Sequence, residues 1–302
     1  MTDDFDSWLS NREHDVVDSS DELLPGTIIG EYRVVALLGR GGFADVYRAV
    51  GAANEAVAIK ILHRLDDKSR ARFTREAEIL SQVHHENFPS LLCFGSCGER
   101  PYLVTELLRE YELPHDDRGV AAFLKQIISA VAELHAHGYV HRDIKPTNIL
   151  ARRDGTPVLI DFGLASPISA AKREQDGLSI EEGRNVAVGT IGYSAPEQFN
   201  GLAVGREADV HALGMLIDAC FQGKMPKCWQ RIYLASTTSK PKSRYRTTDE
   251  LSKAIKMRHW RGIVISITIV VLVFVLGLLC NEARIWYNIE KQTPHRFIEK
   301  GN

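Results

Sequence analysis

His141-Arg142-Asp143-Ile144-Lys145-Pro146-Thr147-Asn148-Ile149-Leu150, followed shortly by Asp161-Phe162-Gly163, is the stretch on which the reading of this chain turns. Asp143, Lys145 and Asn148 share no helical or strand spacing, so no buried face explains their clustering. Chemistry accounts for it better. An Asp can take a proton from a hydroxyl, a Lys can neutralise a phosphoryl oxygen, and an Asn oxygen can hold Mg²⁺. Asp161 lies between the apolar run Val158-Leu159-Ile160 and the turn glycine Gly163, the place for a metal-holding carboxylate at a strand end.

Upstream, Val34-Val35 and Leu37-Leu38 lead into Gly39-Arg40-Gly41-Gly42-Phe43-Ala44-Asp45-Val46-Tyr47, a glycine cluster joining two strand-like runs. Glycines at such a hairpin let backbone N–H groups approach phosphates without interference from a Cβ. Val57-Ala58-Ile59-Lys60 ends a second β-branched run on a lysine. The helical segment from about Lys68 to Val83 carries Phe73, Ala77 and Leu80 on one face and offers Glu76 and Glu78 as partners for that lysine. Residues 120 to 138 are apolar at helical spacing and end at Gly138, a good residue to follow a helix.

In this order the motifs resemble the protein kinases. The central stretch resembles their catalytic loop H-R-D-x-K-x-x-N and metal loop D-F-G. The glycine cluster resembles G-x-G-x-x-G-x-V, with Ala44 in place of the third glycine, and Val57 to Lys60 resembles V-A-I-K. Phe73-Thr74-Arg75-Glu76 matches F-x-x-E, which selects Glu76 over Glu78. The match covers roughly residues 31 to 256 and is most specific to bacterial-type serine/threonine kinases with one transmembrane segment.

The resemblance implies an α+β, two-lobed fold with a small β-rich N-lobe and a larger α-helical C-lobe, plus one transmembrane helix. It implies ATP as phosphoryl donor and Mg²⁺ as cofactor, with protein Ser/Thr hydroxyls as acceptors. Lys145 marks the Ser/Thr type, since tyrosine-specific relatives usually place Arg or Ala near that point. Catalysis falls to Asp143 and Lys145, and the metal to Asn148 and Asp161. Nucleotide binding falls to Gly39, Gly41, Val46, Ala58, Lys60, Glu76, Glu106, Leu108 and Leu150, with Thr105 at the gatekeeper position. Further, Thr190 would bond the catalytic Asp, Asp209 would brace the catalytic loop, and Arg244 would pair with Glu197 of the A-P-E-like segment. Between the helix ending near Phe221 and the one beginning near Trp229 only a short loop remains, so the C-lobe is trimmed where most kinases dock protein substrates. The alternative is a pseudokinase, an ATP-binding membrane scaffold. Loss of Lys60, Asp143, Asn148 or Asp161 would favour it, and all four are present.

The remaining segments complete the organisation. Residues 1 to 26 hold eight acidic residues against one Arg, so they are expected to be disordered, with the kinase domain spanning 27–257 (N-lobe about 31–106, C-lobe about 109–257). The balance of 37 basic and 39 acidic residues gives no electrostatic support to nucleic-acid binding. The five cysteines form no C-x-x-C pair and read as reduced thiols. Residues 262–280 carry no charge, and nineteen helical residues at about 1.5 Å each nearly cross a hydrocarbon core of about 30 Å. Lys253, Lys256, Arg258 and Arg261 precede this span, which puts the kinase domain on the cytoplasmic side of the cell membrane in a single-pass topology and leaves 281–302 as a short extracytoplasmic tail. Gly262 and Ser266, four apart, would let two such helices pack closely, so a homodimer is a further expectation. Arg142 beside Asp143 favours autophosphorylation within residues 164 to 190, where Ser166, Ser169, Ser179 and Thr190 offer hydroxyls.

Overall fold

The computed structural model describes residues 23–168, 190, 192–199, 204–258, 268–281 and 283–284. They fall into two compact units, one reaching to Ile255 and one from Lys256 onward.

The first unit opens with a six-stranded antiparallel sheet in the order β1-β2-β3-β4-β6-β5. Its strands are β1 (Ile28–Ile29), β2 (Tyr32–Arg40), β3 (Ala44–Val50), β4 (Ala56–Leu62), β5 (Leu91–Cys97) and β6 (Arg100–Glu106). β-Branched and aromatic residues alternate along them, and Ile29, Tyr47, Val57, Ile59 and Val104 close one buried layer. The fold starts earlier than the acidic composition suggests. Leu23, read as part of the disordered segment, is buried in that layer, and its N–H donates to the Tyr47 hydroxyl at 3.1 Å. One apolar anchor at the end of an acidic stretch is enough to seat it, and composition averaged over 26 residues hides that.

Helix α1 (Asp67–Gln82) crosses between β4 and β5. Asp66 caps it by accepting the N–H of Ser69, and Phe73 and Ala77 pack with Leu62, Phe94 and Leu103. Strand β7 (Arg109–Glu110) follows the sheet, and α2 (Asp117–Ala136) begins the helical part, capped by Asp116 through the N–H groups of Arg118 and Gly119. Around α2 lie β8 (Tyr139–Val140), β9 (Ile149–Ala151), β10 (Pro157–Leu159), β11 (Ser166–Pro167) and the short α3 (Pro196–Phe199). Helices α4 (Arg206–Phe221), α5 (Lys227–Thr237) and α6 (Thr248–Lys256) complete it. Val120, Leu124, Ile127, Val131, Leu213, Leu216 and Trp229 share one core with Ile79 and Leu80 of α1, which ties the sheet-rich part to the helical part. Full burial of each large apolar side chain there is worth about 1.5–3 kcal/mol.

Only Gln222–Pro226 separate α4 from α5, and Gln222 ends α4 in the left-handed region at φ 48°. The connection is as short as its sequence implies, with α5 starting two residues before Trp229.

In the second unit, residues 268–281 are helical, and Ile269, Val270, Leu272, Phe274 and Leu278 are each more than half exposed. The span expected over 262–280 lies partly outside the described residues, as do Gly262 and Ser266. Among the described residues no helix is long and apolar enough to cross a membrane. Residues 1–22, 169–189 and 285–302 also lie outside them, and with these the rest of the acidic segment, Ser169, Ser179 and most of the expected tail. Ser166 is described. It sits in β11 paired with Val140, buried, a poor position for a hydroxyl that must be reached by another active site.

Candidate active site

The cleft forms where strand ends from the sheet face the loops of the helical part. It measures about 710 Å³ and is lined by Gly39 and Gly41 from the glycine-rich turn and by Val46, Ala58, Lys60, Glu76, Thr105, Glu106, Leu108, Asn148, Leu150 and Asp161. Every residue predicted from sequence to bind nucleotide or metal therefore lines one cavity. Leu38, Leu103 and Ile160 line it as well and were not singled out, because an apolar strand residue reads the same whether it faces a core or a ligand. A separate hollow of about 930 Å³, bordered by Leu80, His85, Phe88 and Leu92, holds none of the predicted site residues.

Lys60 is placed by antiparallel register. It pairs with Val46 on β3 and Leu103 on β6, so its side chain leaves the sheet beneath the glycine-rich turn. Its Nζ lies 2.7 Å from Glu76 Oε2 and 3.1 Å from Asp161 Oδ1. Glu76, selected by the resemblance to F-x-x-E, is the carboxylate that meets the lysine; Glu78 is only half-buried on α1. Burial alone would lower the Lys60 pKa, but the two carboxylates outweigh it and raise it, so the ammonium stays charged. Glu76 is pushed up by burial and next by the nearby Asp161, against the pull of Lys60. For Asp161 burial works upward, but the Lys60 charge prevails and holds its carboxyl below the ordinary range.

The catalytic-loop residues converge on one carboxylate. Lys145 Nζ donates to Asp143 Oδ2 at 2.7 Å and to Thr190 Oγ1 at 2.7 Å. Thr190 Oγ1 donates to Asp143 Oδ1 at 3.0 Å. Asn148 donates its amide to the Asp143 carbonyl and to Oδ2, both at 2.9 Å. Its amide oxygen is thereby left to accept or to ligate. Asp161 and Asn148 together present hard oxygen donors to the cleft, a set that suits Mg²⁺ completing its shell with waters and phosphate oxygens.

The loop bearing these groups is strained and braced. Arg142 and Asp161 adopt φ of 70° and 66°, left-handed values that cost a non-glycine residue about 1–2 kcal/mol each. The fully buried carboxylate of Asp209 accepts the N–H groups of His141 and Arg142, both at 2.8 Å, and contacts His135 Nε2 at 2.8 Å. Gln198 donates to the Arg142 carbonyl at 2.9 Å. Phe162 is fully buried, edge-on to Phe88 at 5.1 Å and tilted against His141 at 5.0 Å, which fixes the start of the loop after Asp161. Arg244 forks onto Glu197 at 2.6 and 2.9 Å, both side chains buried.

Sequence reading missed one clamp. Arg152, just after β9, donates to both carboxylate oxygens of Glu106 and to the carbonyls of Glu86 and Phe88. The Glu106 N–H meanwhile donates to Ser90 O at 3.3 Å. An isolated arginine after a strand carries no pattern that announces a partner 46 residues earlier.

A six-stranded sheet over a helical part, with a glycine-rich turn, a paired lysine and a braced Asp loop about one cleft, defines the two-lobed kinase architecture. The chain belongs to the protein kinase family, whose protein kinase domain model matches residues 32–270. Among similar proteins, the serine/threonine-protein kinase PknH of Mycobacterium bovis is 34% identical over 67% of this chain and 34% of its own length. Serine/threonine-protein kinase PrkC of Bacillus subtilis is 30% identical over 78% of this chain and 41% of its own length. The DNA damage-responsive serine/threonine-protein kinase RqkA of Deinococcus radiodurans is 36% identical over 68% of this chain and 32% of its own length. This chain thus matches about a third of the length of several such relatives.

Proposed function

We propose that this chain transfers the γ-phosphoryl group of ATP to Ser or Thr hydroxyls of proteins. The observation that carries the reading is the meeting of Lys145, Thr190 and Asn148 on the Asp143 carboxylate, with Asn148 lining the same cleft as the Lys60–Glu76 pair. Asp143 orients the acceptor hydroxyl and takes its proton. Lys145 faces the transferring phosphoryl, where its charge offsets the negative charge developing there. Lys60, held by Glu76, grips the α- and β-phosphates, and the turn at Gly39 and Gly41 covers them. Ala58, Val46 and Leu150 enclose the base, with backbone groups at Glu106 and Leu108 along its edge. Mg²⁺ held by Asp161 and Asn148 would neutralise phosphate charge. The complete set of polar groups argues against the pseudokinase alternative.

The same reading extends to a cell-membrane anchor and to autophosphorylation in signal transduction. The anchor is supported by the uncharged run 262–280 and by the exposed apolar side chains of helical residues 268–281. The basic flank before the run supports a cytoplasmic kinase domain, and Gly262 with Ser266 a homodimer. Autophosphorylation is supported by the hydroxyls of residues 164–190 and by Arg142 beside Asp143. Incubating the purified chain with labelled ATP, Mg²⁺ and a generic protein substrate tests the activity. Phosphoserine or phosphothreonine is expected with the wild type, and a loss of about three orders of magnitude or more with Asp143→Asn. Equal incorporation by both proteins would overturn the assignment.

A further inference from the structure

We infer that His63 is a positioning residue for the phosphate-binding turn, acting through the Gly41 carbonyl; the inference rests on the nucleotide-binding reading of the cleft. The turn between β2 and β3 is fastened to the chain just past the end of β4. The N–H groups of His63 and Arg64 both donate to the Phe43 carbonyl, at 3.0 and 3.1 Å. The His63 side chain adds a third tie, with Nε2 at 3.2 Å from the Gly41 carbonyl oxygen. A carbonyl oxygen only accepts, so Nε2 carries the proton, and Asp45 Oδ1 at 3.9 Å favours that arrangement.

This tie has a directional consequence. The Gly41 N–H donates to the Ala44 carbonyl at 3.0 Å, so both polar ends of Gly41 are held. Any side chain at Gly41 would bring its Cβ to 2.7 Å from that Ala44 oxygen, which keeps the position a glycine. Among the described residues no peptide bond is cis, and in a planar trans unit the C=O and the following N–H point in opposite directions. Turning the Gly41 carbonyl toward His63 therefore turns the Gly42 N–H away from it. A cleft-lining glycine N–H so directed can donate to a phosphate oxygen. The turn is also drawn over the cleft at its tip, where the Phe43 ring stands 5.4 Å from Lys60 Nζ. His63 itself is a third exposed and lies outside the buried core, so it is not required to hold the sheet together.

The test compares full-length His63→Leu, which removes the donor, with His63→Gln, which keeps an N–H donor at the end of the side chain. Binding of Mg-ATP and of adenosine, which has no phosphates, is measured by calorimetry for each. The expected result is that His63→Leu weakens Mg-ATP binding roughly fivefold, the effect of about one hydrogen bond, and leaves adenosine within twofold. His63→Gln is expected to restore Mg-ATP binding to within about twofold of wild type. Equal weakening of both ligands, unchanged Mg-ATP binding in His63→Leu, or a His63→Gln variant as weak as His63→Leu would each overturn the inference. A wild-type chain that binds neither ligand would instead overturn the reading of the cleft itself, and this inference with it.

Discussion

The carboxylate of Asp209, on α4, accepts the backbone N–H of His141 at 2.8 Å across 68 residues of chain. With its second bond to the Arg142 N–H, it holds the catalytic loop in a conformation that costs energy locally and would otherwise relax. Burial raises the Asp209 pKa, but the bonds from His135 and from the loop backbone prevail and keep it below its ordinary 3.8. A depressed carboxyl pKa contributes stability that is present above the unfolded value and is lost as pH falls through the folded one. Asp209→Asn is expected to destabilise the domain by about 1–3 kcal/mol at neutral pH. Below about pH 4, where Asp209 itself takes up a proton, the gap from wild type should narrow in denaturant titrations. A gap that widens below about pH 4 would contradict this account.

Glu76→Gln should act on nucleotide binding more than on folding. Lys60 would retain Asp161 at 3.1 Å but lose the closer carboxylate that sets its direction. The KM for ATP is expected to rise roughly tenfold, about the loss of one charge-assisted hydrogen bond. Steady-state kinetics at varied ATP would show it, and an unchanged KM would remove Glu76 from the site.

Thr190→Val keeps the shape of the side chain while removing the hydroxyl that links Lys145 to Asp143. The expected outcome is a fall in kcat of about tenfold to a hundredfold with little change in ATP affinity, since the lost bonds lie on the acceptor side. Thr190→Ser should recover most of the rate.

Arg244 and Glu197 are a buried, bidentate pair, and Arg244 also donates to the carbonyls of Thr238 and Glu207. Arg244→Ala leaves a carboxylate buried without its partner, a loss of about 3–5 kcal/mol that thermal unfolding would register. Adding Glu197→Leu should recover part of it, because the stranded charge is then gone.

Membrane association can be read from the full chain by fractionation. Placing two arginines in the exposed apolar helix, Leu272→Arg with Val273→Arg, should release the protein to the soluble fraction, each costing about 2.5–3.5 kcal/mol at mid-bilayer. Retention of the double variant in the membrane would move the anchor elsewhere.

The sequence by itself determined the parts whose physics is local. Residues 141–150 and 161–163 announced their chemistry because polar groups crowd there against every apolar period, and Phe73, Ala77 and Leu80 set the apolar face of α1 by helical spacing. The helix ends were legible for the same reason: Gly138 follows α2 at φ 85°, and the brevity of the segment after Phe221 is a matter of chain length. Only the tertiary structure decided which distant groups meet. Lys60 and Asp161 are 101 residues apart, Arg152 and Glu106 46, and His63 reaches Gly41 only because β3 and β4 pair in one register. It likewise packed Leu23 into the buried layer against the sheet and buried Ser166 in β11, neither of which composition had marked. A short motif encodes its own backbone geometry, whereas a long-range contact depends on strand register and layer packing, which are properties of the whole chain and leave no mark on either partner alone.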